Sequence, residues 1–345
     1  MNDHTNIEVS IIIVSYNTCE MTLDALRSVT TETHTPTYEL LVVDNNSSDG
    51  SAEAIAKHIP EAKLFALEEN IGFAGANNLA AKKARGRFIL LLNPDTVVLN
   101  GAIEHVIEFA KANMEAKIWG GRTVYGDGNL NPYSCWGQMT LWNTFCRTTG
   151  LAGIFPKSEF FNSETYGAWP RDIVRHVDIV TGCFFLIERN FWNELGGFDP
   201  AFFMYGEEAD LCLRAKAVGA HPLITPKATL VHYGGASENT QSGKMIKLLA
   251  AKATLIKRHF PSHQVQLALA LLQAWPLSRW LVLRLFAMMP GGGHHLETAK
   301  TWHAVWQQRE KWKSGWSLDH RDKPTNNSSN VTSLSTNVET TAAIY

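Results

Sequence analysis

Short runs of aliphatic and β-branched residues alternate with amphipathic stretches through the first hundred positions of this chain. Val9–Val14 (VSIIIV), Glu39–Val43 (ELLVV), Lys63–Leu67 and Arg87–Leu92 predict strands. Cys19–Val29, Ser51–His58, Ala74–Ala84 and Ala102–Ala112 predict helices. Runs that are apolar at every position belong to strands buried on both faces, the habit of a parallel sheet covered by crossover helices. The chain therefore opens as an α/β unit. Three of the strands end on polar residues, at Ser15-Tyr16-Asn17, Asp44-Asn45-Asn46 and Asn93-Pro94-Asp95. The ligand crevice of an open parallel sheet lies outside the carboxyl ends of its strands, so these groups are expected on one rim.

The pattern loosens from Ile118 to Asp172, where Gly, Trp, Tyr and Asn predict loops and short helices that wall a pocket. A strand signal returns over Val174–Glu188, broken at Thr181-Gly182, and a helix runs from the acidic cluster Glu207-Glu208-Ala209-Asp210 to Val218. His221–Tyr233 predicts a further strand or pair ending at His232. Leu267–Met289 is long and apolar enough to suggest a membrane span, but Gln273, Pro276, Arg279 and Arg284 lie inside it, and central arginines are costly in hydrocarbon. Two short helices broken near Pro276 and lying in a membrane interface are expected, with Arg and Trp at headgroup depth. A helical subdomain packed on the body, at an oligomer interface, is the other reading.

Composition sharpens this division. The 345 residues carry 31 Lys+Arg against 33 Asp+Glu, a net charge of −2 that argues against nucleic acid. That sum conceals unlike parts. Residues 1–243 hold 18 basic and 28 acidic side chains, whereas 244–317 hold 11 and 2, together with six of the eleven Trp. An acidic body is thus followed, over 244–318, by a basic, Trp-rich helical appendage suited to a charged surface. Residues 319–345 are polar and expected to be disordered. Five Cys without metal-type spacing, and an acidic opening without an apolar run, point to a reducing, cytoplasmic setting.

Neither GxGxxG after the first strand nor GxxxxGK[ST] occurs, which removes the usual dinucleotide and P-loop fingerprints. Asp44, Asn93 and Asp95 remain on the rim, joined by His232 from a distant strand. Carboxylate oxygens suit Mg2+ or Mn2+ facing a diphosphate. Each motif alone also has a plainer reading: Asn-Pro-Asp as a turn with a helix cap, and the acids at 207, 208 and 210 as compensation of a helix dipole.

The order of the motifs is more specific. SIIIVSYN, VVDNNSSDGS, ENIGFAGANN, LLNPD, TGCFFLIERNFWNELGGFDPAFFMYGEEADLCLRAKAVG and LVHYGG succeed one another over about residues 8–240. In this the chain resembles the inverting glycosyltransferases of family 2, and among them rhamnosyl- and galactofuranosyltransferases of cell-surface polysaccharide. The resemblance implies a GT-A fold with a mostly parallel central sheet over residues 1–243. It implies a dTDP- or UDP-sugar donor, contacted by Ser15, Tyr16, Asn17, Asp44, Asn70, Gly72, Phe73, Asn77 and Asn93. Asp95 then matches the metal-binding carboxylate of a DxD motif whose first acid is Asn93 here, and His232 matches a histidine near the metal or diphosphate. Glu208 stands where the family carries its general base, with Asp210 as second candidate, and Tyr205 is an aromatic that could stack on a sugar.

The implied reaction moves a sugar, L-rhamnose from dTDP-rhamnose above all, onto a lipid-linked or polysaccharide acceptor at the inner membrane face. A non-catalytic nucleotide-sugar-binding scaffold is the alternative from another class. A nucleotidyltransferase would need a Gly-rich Arg/Lys loop near the first strand, which is missing.

Overall fold

The computed structural model describes residues 7–234 and 240–316; the polar tail 319–345 lies outside them. β1 (Val9–Ser15) pairs in parallel with β2 (Tyr38–Asp44) on one side, and β3 (Lys63–Ala66) continues that edge. On its other side β1 pairs in parallel with β4 (Phe88–Leu92). Ile12, Leu41, Ile89 and Leu91 pack on one face, and Ile11, Ile13, Val42 and Leu90 on the other. Full burial of each such side chain stabilises the fold by about 1.5–3 kcal/mol, which is why these strands are apolar at every position.

Helices α1 (Cys19–Glu32) and α2 (Ser51–His58) cover the second face, and α3 (Gly72–Ala81) the first. After β5 (Thr96–Val98), α4 (Ala102–Ala112) joins α1 and α2. The expected α/β class, with helices on both faces, is therefore present. Beyond β4 the sheet becomes mixed.

Part of that second half falls in residues 118–172, where loops and short helices are expected. β6 (Ile118–Val124) is a buried internal strand, followed by the short β7 (Leu130–Asn131) and β8 (Cys135–Trp136). Its sequence, IWGGRTV, hides the strand behind two glycines. A Cβ on Gly120 would meet Val180 Cγ1 at 2.5 Å, and one on Gly121 the Ala228 carbonyl oxygen at 2.2 Å. Glycine marks a close approach of neighbouring strands here, not a loop. Helices α5 (Leu141–Thr149) and α6 (Leu151–Ile154) follow, and then β9 (Arg175–His176), β10 (Ile179–Val180) and β11 (Phe184–Glu188).

β11 runs antiparallel between β4 and β6. α7 (Arg189–Leu195) and α8 (Glu207–Ala217) lead to β12 (Leu223–His232), which pairs in parallel with β6 and antiparallel with β5. The sheet order is β3-β2-β1-β4-β11-β6-β12-β5.

The basic appendage is built into this core. α9 (Gln241–His259) spans the expected boundary at residues 243–244, and its Leu249, Ala250 and Ile256 share one hydrophobic cluster with the sheet. α10 (Ser262–Ala287) is a single helix rather than two pieces broken at Pro276. A proline inside a helix costs about 3 kcal/mol. Here Leu272, Trp275 and Pro276 are buried on the helix's inner side, and Ser278 Oγ and an Arg279 Nη donate to the carbonyls of Thr148 and Arg147. Arg279 is thus turned into the protein.

Trp275 packs at 5.5 Å on Trp302 of α11 (His295–Gln307), and Trp312 is fully buried, so these three rings are core. Among the described residues no helix is long and apolar enough to cross a membrane.

Candidate active site

A cavity of about 330 Å³ opens at the carboxyl ends of β1 and β4, between α3, α8 and α9. Of the expected donor-binding residues, Tyr16, Asn70, Gly72, Phe73 and Asn93 line it. Ser15, Asn17, Asp44 and Asn77 do not line it. Ser15 Oγ is buried 2.9 Å from Thr22 Oγ1, and Asn77 Nδ2 donates to the Phe73 carbonyl, so both act locally. Asn17 Oδ1 accepts from the Ser48 backbone N–H at 2.8 Å and stitches the β1 and β2 loops together. Asp44 Oδ2 accepts from Ser47 N–H, while its Oδ1 is buried without a partner among the described residues.

Asn45, expected on the rim as part of the polar end of β2 but not as a donor contact, does line the cavity. Its Nδ2 donates to Asn70 Oδ1 at 2.9 Å and its Oδ1 accepts from the Ile71 N–H, which joins two rim loops. Gly72, with φ +76, is required there because a Cβ would lie 2.4 Å from the Phe203 carbonyl oxygen. Phe73 N–H donates to that same oxygen, so the GFAGANN segment is docked against AFFMYG. Asn78 clamps the next turn by exchanging hydrogen bonds with both backbone groups of Phe198.

Asp95 and His232 meet through the β5–β12 pairing. His232 stands opposite Thr96, and Tyr233 N–H donates to the Asp95 carbonyl. His232 Nε2 lies 3.4 Å from Asp95 Oδ1 and 3.4 Å from Asn93 Nδ2, while Nδ1 is buried without a partner among the described residues. Burial would raise the Asp95 carboxyl, but the hydrogen bond and charge of His232 outweigh it and hold the pKa below its ordinary value. Burial disfavours a charged His232, yet the Cys183 and Asp95 side chains raise its pKa well above the usual.

Adjacent corners of an octahedral Mg2+ site at about 2.1 Å lie roughly 3 Å apart, so a carboxylate and an imidazole at this separation suit one divalent ion. Among the described residues no group of three or more His, Cys, Asp or Glu converges. Such an ion would need oxygens from a bound diphosphate to complete its shell.

The other side of the cavity is the turn into α8. Tyr205 and Gly206, at φ +68 and +89, carry the chain in left-handed conformation to Glu207 and Glu208, and all four residues line the cavity. Strain at a non-glycine residue such as Tyr205 costs about 1–3 kcal/mol and persists where neighbours enforce it. Burial, reinforced by Glu208, pushes the Glu207 carboxyl well above the ordinary range. Burial also raises Glu208, against the pull of backbone N–H groups at the helix start. Two carboxyl groups therefore favour binding a proton at the cavity wall.

Asp210, the second base candidate, is turned away from the cavity. It is 1% exposed, accepts from Arg214 Nε at 2.7 Å, and lies 2.9 Å from His259 Nε2 and 3.4 Å from an Arg258 Nη. Burial would raise its pKa, but the hydrogen bonds of His259 and Arg214 outweigh this and lower it. It ties α8 to α9.

The family description "Glycosyl transferase family 2" matches residues 10–178. The succinoglycan biosynthesis protein ExoO of Rhizobium meliloti is 32% identical over 267 residues, 73% of this chain and 69% of its own length. The N-acetylglucosaminyl-diphospho-decaprenol L-rhamnosyltransferase of Mycobacterium tuberculosis is 24% identical over 220 residues, 60% of this chain and 70% of that protein. Other curated relatives are much longer, and the match spans 18% of their length. Among solved structures, the mannosyltransferase PcManGT of Pyrobaculum calidifontis, in complex with GDP-Man and Mn2+, superposes with a TM-score of 0.52 at 17% identity. That match covers 89% of this chain and 85% of the other, and shows the shared fold. The fold is that of the GT-A glycosyltransferases, and the chain belongs to glycosyltransferase family 2.

Proposed function

We propose that the protein is an inverting hexosyltransferase that moves a sugar from a nucleoside diphosphate onto a lipid-linked or polysaccharide acceptor in cell-surface glycan synthesis. L-Rhamnose from dTDP-rhamnose is the first donor to test. The observation that carries the reading is one cavity bearing Asp95 beside His232 on one strand pair and Glu208 on the start of α8.

Inverting transfer is a single in-line displacement. The acceptor oxygen bonds the anomeric carbon as the bond to the diphosphate oxygen breaks, and a base takes the acceptor proton on the face away from the leaving group. Glu208 takes that proton. Its raised pKa makes it a stronger base. Asp95 and His232 would hold Mg2+ or Mn2+, His232 as the neutral imidazole once the ion displaces its proton, with Asn93 supplying an amide oxygen nearby. A bound divalent ion supplies positive charge to a leaving diphosphate. Tyr16, Asn45, Asn70 and Asn93 bind the donor, and Tyr205 faces the sugar.

The name of the mycobacterial relative supports rhamnose and a diphospholipid acceptor. The Mn2+ of the mannosyltransferase complex supports the metal. A lipid-borne acceptor sets the enzyme against the cytoplasmic face of the membrane. The basic appendage and the exposed Leu281, Leu285, Phe286, Met288 and Met289 at the end of α10 support that address.

The experiment is a panel of nucleotide sugars tested for protection against thermal unfolding, with and without Mn2+, because a ligand that binds the native state raises the melting temperature. Protection by dTDP-rhamnose above all other sugars is expected. No protection by any nucleotide sugar would defeat the reading.

A further inference from the structure

The cavity has a second charged wall, built from segments that the donor and proton-transfer roles leave unused. Arg147 on α5 and Lys252 on α9 both bind Glu164, and all three line the cavity. Arg147 donates from Nε and Nη2 to Glu164 Oε2, at 3.0 and 2.9 Å, and Lys252 Nζ donates to Oε1. Arg147 also lies over the Trp275 ring at 5.3 Å. Arg147 is 9% exposed and Glu164 8%, so two cations share one carboxylate in a largely buried setting. Burying net charge is costly unless a counter-charge completes it. Burial, followed by the repulsion of Arg147, lowers the Lys252 pKa in spite of Glu164. Lys244 and Lys247 of α9 line the cavity as well.

The position of this wall indicates which ligand it meets. Ala251 packs against Gly206, whose Cβ position lies 3.0 Å from the alanine methyl, so Lys252 follows directly on the helix that abuts the Glu207-Glu208 turn. Lys252 and the Glu207-Glu208 turn line the same cavity, so the wall and the base face the one space in which an acceptor would sit. The rim at Tyr16, Asn45 and Asn70 is formed by other segments. Beside the charges, Met139, Leu248 and Leu255 continue the lining as apolar surface. An ionic site continued by an apolar one fits an amphipathic ligand.

We propose that Arg147 and Lys252 form a subsite for a phosphate group of the acceptor, with its alkyl chain along Met139, Leu248 and Leu255. This rests on the glycosyltransferase reading and locates within it the part of the acceptor that is not sugar. The same charges would also attract the donor diphosphate, and the test separates the two sources.

Calorimetric titrations of the full chain would use farnesyl diphosphate, farnesol, and UDP or dTDP as probes. Farnesyl diphosphate should bind wild type with nucleotide present, and at least tenfold more tightly than farnesol. Lys252→Met should weaken farnesyl diphosphate at least tenfold while changing nucleotide affinity less than twofold, and Lys252→Arg should restore binding to within threefold. Farnesol binding as well as farnesyl diphosphate overturns the subsite with wild type alone, even if Lys252→Met does not fold. Unchanged farnesyl diphosphate binding in folded Lys252→Met overturns it too, and loss of nucleotide affinity instead would give the wall to the donor. Nucleotide binding without farnesyl diphosphate binding defeats the subsite and leaves the enzyme reading standing; binding of neither defeats both.

Discussion

His232 Nε2 lies 3.4 Å from Asp95 Oδ1 because β5 and β12 pair with His232 opposite Thr96. The contact is a property of strand register. A one-residue slip would send every side chain of β5 to the other face and separate the two groups.

Asp95→Asn keeps the shape of that contact and removes its negative charge. Transfer should fall at least a hundredfold, and the protection of a nucleotide sugar by Mn2+ should disappear while the metal-free melting temperature stays within a few degrees. Melting curves with and without Mn2+ check this, and undiminished Mn2+ dependence would remove Asp95 as the ligand.

Glu208→Gln should lower kcat by about 10²–10⁴, the usual contribution of a general base, with donor affinity changed less than threefold. The pH profile provides a second readout. Burial raises Glu208 above the ordinary 4.5, and a base works only when deprotonated, so the acid limb of kcat/KM should fall as the pH drops through a value above 4.5. A limb at or below 4.5 would assign the base elsewhere.

Asp210→Asn distinguishes holding from catalysis. Removing the buried charge shared by Arg214, Arg258 and His259 should destabilise the fold by about 3 kcal/mol. The folded fraction should retain kcat within threefold. Denaturant titration and steady-state kinetics on the same sample decide it, and a hundredfold loss of kcat at unchanged stability would restore Asp210 as a base.

Glu164 sets an acid limit. The charges of Arg147 and Lys252 overcome its burial and bring its carboxyl down from 4.5 to about 2. The unfolded chain takes up that proton first, so the stability it contributes is complete above 4.5 and is lost as the pH falls toward 2. Glu164→Gln should therefore destabilise by about 3 kcal/mol at neutral pH, with the difference from wild type shrinking below 4.5. Urea midpoints from pH 7 to 3 measure it.

Much of the first half of the molecule was legible in the chain. Strands buried on both faces need apolar side chains at every position, so β1, β2 and β4 announce themselves, as do the polar ends that form the rim. Asp95, His232 and Glu208, which motif order picks out, all line the one cavity. β6 was hidden, since Gly120 and Gly121 answer to the close approach of Val180 and Ala228, which are far away in sequence. The polar end of β2 puts Asn45 on the rim, but its bond to Asn70, 25 residues on, is visible only in space.

The appendage divides in the same way. Its basic, Trp-rich composition is a fact of the sequence alone. That Trp275, Trp302 and Trp312 are core, that Pro276 sits within one helix, and that Lys252 reaches the cavity were decided by packing against α5 and the sheet. The three acids of the cluster at 207–210 show why. Local sequence sets their charge and their place at a helix start, but one helix presents residues 208 and 210 to different neighbours. Glu208 meets a cavity, Asp210 meets two arginines and a histidine, and only the tertiary contacts decide which can take a proton from a substrate.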